Sequence, residues 1–140
     1  MKLKQTRLVT EDVERLAEFY EAVTGAGRNI SDPAYIEMGQ PCEGLAIVDA
    51  GVESVYGPGV VAPGMNRTAI LDFQVENVDT EFGRMKDIVR DWVFEPKDQP
   101  WGNRAMLFRD PDGNLINVYM TSAAAAPAPA LASTRRGKAT

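Results

Sequence analysis

Few side chains in this 140-residue chain can carry chemistry. It has no histidine, so the usual general base and commonest metal-ligating side chain is missing, and no Ser-His pair or phosphate-binding glycine loop is present. The single cysteine, Cys42, has no second thiol to pair with and no base to activate it, which makes it an inert loop or strand residue. What remains gathers in one string, Trp101 to Tyr119, WGNRAMLFRDPDGNLINVY: an indole, a guanidinium at Arg104, a carboxamide at Asn117 and a phenol at Tyr119. These groups stack and hydrogen-bond far more readily than they move protons. Asp72 is the best single candidate for a proton carrier, and its alternative is an ion pair with Arg7, which lies 65 residues earlier at the matching place of an internal repeat.

The elements that would position these groups follow from pattern. Asp110-Pro111-Asp112-Gly113-Asn114 is a turn, with proline presetting φ and glycine supplying the positive φ that closes it. Leu115 to Tyr119 then alternates as a strand, Ile116 and Val118 on one face and Leu115, Asn117 and Tyr119 on the other, while Trp101 to Arg104 opens the partner strand. Earlier, Leu3 to Val9 reads as a strand and Asp12 starts a helix carrying Val13, Leu16, Ala17, Tyr20 and Val23 on one stripe before Gly25 and Gly27 end it. Two short apolar runs, Ala34 to Met38 and Leu45 to Val48, form a hairpin. Gly51 to Gly64, with four glycines and two prolines, has no period and reads as a linker able to fold over a site. The pattern then returns: a strand at Ala69 to Val75, a cap at Asn77, a helix with Val78, Phe82, Met85 and Val89 on one face, and a short strand at Trp92 to Glu95 with Trp92 and Phe94 turned to the core. Asp12 falls on Asn77 and Leu8 on Phe73, so the halves repeat at an offset of 65.

Composition sets the bounds. The length suits one domain, with module one at 1–50, the linker at 51–66, module two at 67–120 and an Ala/Pro-rich flexible tail at 121–140. No apolar run approaches a membrane span and the N-terminus lacks a signal-peptide core, so a cytoplasmic protein is expected. The first 120 residues hold all 20 acidic groups against 12 basic ones, a net charge of −8 beneath the overall −5. An acidic body argues against nucleic acid and for neutral or cationic small ligands.

Trp-Gly-x-Arg, then Arg109, then Asp-Pro-Asp-Gly-Asn and an aliphatic strand, resembles the C-terminal signature of the vicinal oxygen chelate superfamily, which includes glyoxalase I, extradiol dioxygenases and the bleomycin and mitomycin resistance proteins. The resemblance implies an α+β fold of two tandem βαβββ modules, whose curved sheets face each other around a cleft. It also implies where the superfamily's enzymes would hold a divalent metal. Matching the two halves to that pattern puts Gln5, Ile47, Ile70 and Asn117 at the four ligand positions. Two of these are hydrocarbon and two are neutral amides, so no metal and no other cofactor is expected, and no residue is assigned as catalytic.

The same resemblance places Gln5, Arg7, Ile47, Ile70, Asp72, Gln74, Leu115, Asn117 and Tyr119 along the cleft, with Trp101 and Arg104 at its rim and Tyr35 as the first module's aromatic. It points to the drug-binding branch, whose members sequester a toxic planar compound between two aromatic walls, in pockets formed between two chains of a homodimer. Trp101 is either such a wall or a core or dimer contact, and Arg104 either lines the rim or anchors the turn through Asp110 or Asp112. The expected function is metal-independent binding and sequestration of a planar aromatic small molecule, such as an antibiotic. The alternatives are a metal-free lyase or isomerase using Asp72 or Tyr119, and a protein-interaction module whose cleft is closed by the linker.

Overall fold

The computed structural model describes residues 1–121, so the expected tail falls outside the described residues save for its first position. Module one runs β1 (Thr6–Thr10), α1 (Val13–Thr24), β2 (Arg28–Asp32), β3 (Tyr35–Met38) and β4 (Leu45–Asp49). A short 3₁₀ turn (Ala50–Val52) and α2 (Glu53–Tyr56) lead to module two: β5 (Ile70–Gln74), α3 (Val78–Met85), β6 (Asp91–Asp98), β7 (Arg104–Arg109) and β8 (Leu115–Met120). Each module is a four-stranded mixed sheet, ordered β1-β4-β3-β2 and β5-β8-β7-β6. The first strand of each runs parallel to the last and the remaining neighbours are antiparallel. The α+β architecture of two βαβββ modules is therefore realised, including the second strand of module one, β2, which hydropathy alone does not reveal. Almost all of β2 is exposed, so an edge strand with no buried face left no alternation to read.

Local chemistry explains the helices. Asp12 caps α1 by accepting from the Arg15 amide at 3.0 Å, Gly25 closes it at φ +75°, and the five stripe residues from Val13 to Val23 are all buried. Asn77 caps α3 in the same way through the Thr80 amide, as its place in the repeat requires. One face of each sheet packs on a helix, and the two packed faces merge into a single core. Phe19 of α1 meets Phe108 of β7 edge to face at 6.4 Å, and Arg84 of α3 donates to the C-terminal carbonyls of α1 at Ala22 (2.8 Å) and Val23 (2.6 Å).

A buried polar tie also links the modules. The Tyr20 hydroxyl of α1 donates to Asp110 Oδ2 at 2.6 Å, and Asp110, in the Asp-Pro-Asp-Gly turn, also accepts from the Asn114 side chain. Burial, then the Asp110 charge, pushes the Tyr20 phenol far above its ordinary range, so it acts as a permanent donor. Tyr20→Phe is expected to cost about 1.5 to 3 kcal/mol, the worth of a hydrogen bond to a charged group. Urea unfolding would show this as a lower midpoint at unchanged slope; an unchanged midpoint would remove the tie from the stability of the fold.

Candidate functional site

The open faces of the two sheets, opposite their helices, carry the groups of interest. In module two the register aligns Ile70 with Leu115, Asp72 with Asn117 and Gln74 with Tyr119, and continues across β7 at Leu107 and Ala105. This row lies on the open face because Leu71, Phe73, Ile116 and Val118 between them point to the core. At β6 a bulge between Trp92 and Phe94 breaks the expected shared face. Trp92 turns inward onto Phe82 and Phe108, each at 5.1 Å, whereas Phe94 pairs with Leu107 on the open side.

Trp101 does not open β7 as its sequence position suggests; it sits in the β6–β7 turn. That turn is closed by Gln99 N to Asn103 O at 2.7 Å and Gly102 N to Gln99 O at 3.0 Å, with Gly102 at φ +95°. Holding the indole there, 43% exposed, rules out a core role. Between Trp101 and Asn117 lies a pocket of about 320 Å³ lined by Trp101, Phe94, Ile70 and Leu107 together with Asp72 and Asn117. Such a volume is at the small end for ligand sites, about 300 to 1,000 Å³, and suits one compact ring system. A pocket with room for a ring also removes the motive for treating the cleft as vestigial.

The Asn117 amide donates to Asp72 Oδ1 at 2.9 Å, which leaves Oδ2 of Asp72 without a partner among the described residues. Asp72 therefore does not pair with Arg7. The Arg7 guanidinium instead donates to the Tyr56 hydroxyl at 2.9 Å and lies over that ring at 5.5 Å, so α2 of the linker folds onto module one. Gln5 and Tyr35 are also on module one's open face, and they are joined. Gln5 Nε2 donates to the Tyr35 hydroxyl (3.1 Å), which donates to Glu37 (2.9 Å), which also accepts from Asn29 (3.2 Å). Glu37 was missed by the sequence reading; its place two residues after Tyr35, hence on the same face, was the available signal.

Two expected site residues are displaced. Ile47 is fully buried on the helix side of β4, in register with Leu8 and Ile36, and Ala46 takes the open-face position opposite Arg7 and Glu37. Leu45 to Val48 is buried throughout, so the strand offered no alternation to set its phase, and a one-residue slip exchanges the faces. Arg104 lies neither at the pocket nor at the Asp110 turn. It forks onto Asp79 at the start of α3 (2.8 and 2.9 Å) and reaches Asp98 (3.2 Å), holding the Asp79 carboxyl below its usual range. Tyr119 stands on the open face beside Ala105, one pleat beyond the pocket lining. The site residues thus fall into two groups: Ile70, Asp72, Trp101 and Asn117 at the pocket, and Gln5, Arg7 and Tyr35 on the other sheet.

A divalent metal does not fit this arrangement. With the register corrected, the matching positions are Gln5, Ala46, Ile70 and Asn117; two lack a donor atom and the other two are neutral amides, which cannot offset the dehydration of a divalent ion. Among the described residues, no group of three or more His, Cys, Asp and Glu gathers that could hold a metal. Cys42 is buried, and burial alone pushes its thiol up to about 11, which agrees with an unreactive side chain. No helix of the described residues is long and apolar enough to cross a membrane.

Comparison with known proteins agrees with this fold. The chain is 30% identical over 125 residues to the uncharacterized protein YraH of Bacillus subtilis (strain 168), covering 85% of this chain and 98% of that one. It superposes on the crystal structure of a glyoxalase/bleomycin resistance protein/dioxygenase from Nocardioides with a TM-score of 0.75 at 23% identity, covering 92% and 89% of the two chains. A family enzyme from Burkholderia phytofirmans PsJN gives 0.77 at 14% identity, covering 87% and 100%. The family model for the Glyoxalase/Bleomycin resistance protein/Dioxygenase superfamily matches residues 2–118, and the chain belongs to that superfamily.

Proposed function

We propose that this protein binds and sequesters a planar aromatic small molecule, such as an antibiotic, without a metal, in the cytoplasm. The observation that supports this best is the pocket itself, lined by Trp101 and Phe94 with the hydrogen-bonded Asp72–Asn117 pair, where two of the superfamily's four ligand positions, Ala46 and Ile70, carry no donor atom. A flat ligand stacked on Trp101 gains about 0.5 to 1.5 kcal/mol beyond the area it buries. In this proposal the pocket is completed by a second copy of the chain, packed against its open side.

Titration with a panel of planar heteroaromatics should change the indole emission of Trp101, and the change should vanish in Trp101→Phe while Trp92 in the core reports nothing. Unaltered emission with every ring would defeat the proposal, and native mass spectrometry of the same samples would read the subunit count. A second reading, a lyase or isomerase acting without metal, draws on one feature, the uncommitted Oδ2 of Asp72 beside the pocket. Recovery of the bound molecule chemically altered by wild-type protein but intact from Asp72→Asn would favour that reading over sequestration.

A further inference from the structure

The orientation of the polar groups around the Trp101 pocket restricts what can enter it. An ionised carboxylate only accepts, so the bond between Asp72 and Asn117 fixes the Asn117 amide with its nitrogen toward Asp72 and its oxygen free. Gln99 is fixed by the same logic, since its Nε2 donates to the Lys97 carbonyl at 3.2 Å and leaves its Oε1 free. The Oδ1 of Asn103 is buried with no hydrogen-bond partner among the described residues, so it is not offered to a ligand. On an otherwise mainly apolar lining, the Oδ2 of Asp72, the Oδ1 of Asn117 and the Oε1 of Gln99 are acceptors with no donor among the described residues, and Asp72 is the single charged residue. One aromatic wall already holds a cation: the Lys97 ammonium sits 4.1 Å above the Phe94 ring, outside the lining.

The geometry points to a ligand that is a planar cation bearing N–H donors, an aminated heteroaromatic or an amidinium, whose charge meets the Asp72 carboxylate while its ring lies against Trp101 and Phe94. This deepens the sequestration proposal and rests on it. Lys97 contributes the opposite sign at the rim, so its flexible stem moves aside on binding, and the cation it presents competes with the ligand for the Phe94 face.

Three probes of one outline separate charge from ring: 9-aminoacridinium, neutral acridone and acridine-9-carboxylate, titrated at neutral pH against the full-length protein. The cation is expected to bind roughly ten- to a hundredfold tighter than acridone, the range of a charge-assisted hydrogen bond, and the carboxylate most weakly. Asp72→Asn should bring the affinity for the cation down to that for acridone, and Lys97→Met should tighten the cation several-fold. Equal affinity for all three probes, or preference for the carboxylate, would overturn the charge assignment while leaving a ring-binding pocket standing. Failure of all three to bind would remove both proposals. An Asp72→Asn protein that keeps the full cation preference would also refute this inference, because the charge would then be read elsewhere.

Discussion

Replacement of Trp101 by alanine is expected to weaken binding of a planar ligand by about thirtyfold or more, the consequence of losing about 2 kcal/mol at an aromatic anchor. The indole is presented by the turn and is 43% exposed, so it contributes little to folding, and surface changes of this kind shift stability by no more than about 0.5 kcal/mol. The effect should therefore appear in affinity and leave the unfolding midpoint in place. Trp101→Phe should recover part of the loss, since a smaller ring still stacks. Phe94→Ala should cost less than Trp101→Ala, because Lys97 already covers a face of Phe94. Calorimetric titration checks all three, and full affinity in Trp101→Ala would place the ligand away from this pocket.

What the sequence disclosed and what it concealed divide along physical lines. Elements with one buried face announced themselves: α1 showed its five-residue stripe and its Asp12 cap, and β8 showed Ile116 and Val118 against Leu115, Asn117 and Tyr119. The turn at Asp110 was legible because proline and glycine admit so few conformations, and Gly113 does take φ +86°. Elements with two buried faces or none were silent. β4 is covered on both sides, so its sequence does not tell which face Ile47 takes, and β2 is exposed on both, so no alternation marks it. Partner choice was equally hidden. Arg104 had acidic residues near it in sequence at Asp110 and Asp112, yet the sheet carries it to Asp79, 25 residues away, where the fork geometry is met twice. The bulge that separates Trp92 from Phe94 left no trace in the alternation, and it is this bulge that gives the pocket its second aromatic wall.

Asp110→Ala is expected to produce the largest loss of stability of any substitution considered, about 3 to 5 kcal/mol, the range seen when one member of a buried, charged hydrogen-bonded set is deleted. Four donors converge on this carboxylate: the Tyr20 hydroxyl at 2.6 Å, the Asn114 side chain at 2.8 Å, and the amides of Asp112 and Asn114 at 2.9 Å. Asp110 is 3% exposed, so no water replaces the lost acceptor. The consequence extends past the turn, because Asn114 also accepts from Asn66 at 3.1 Å, where the linker enters module two, and Tyr20 belongs to module one. A loss of that size is a large share of the 5 to 15 kcal/mol that holds a typical domain together, about a quarter to a half for most such proteins. Asp110→Asn should fall between wild type and alanine, since one amide oxygen can still accept from the turn while its nitrogen opposes the Asn114 side chain. In the double variant with Tyr20→Phe the two costs should fail to add, because the hydroxyl has nothing left to donate to once the carboxylate is gone. Denaturant unfolding of the four proteins closes that cycle, and strict additivity would show that Tyr20 and Asp110 stabilise the fold independently, contrary to the bond that joins the two modules.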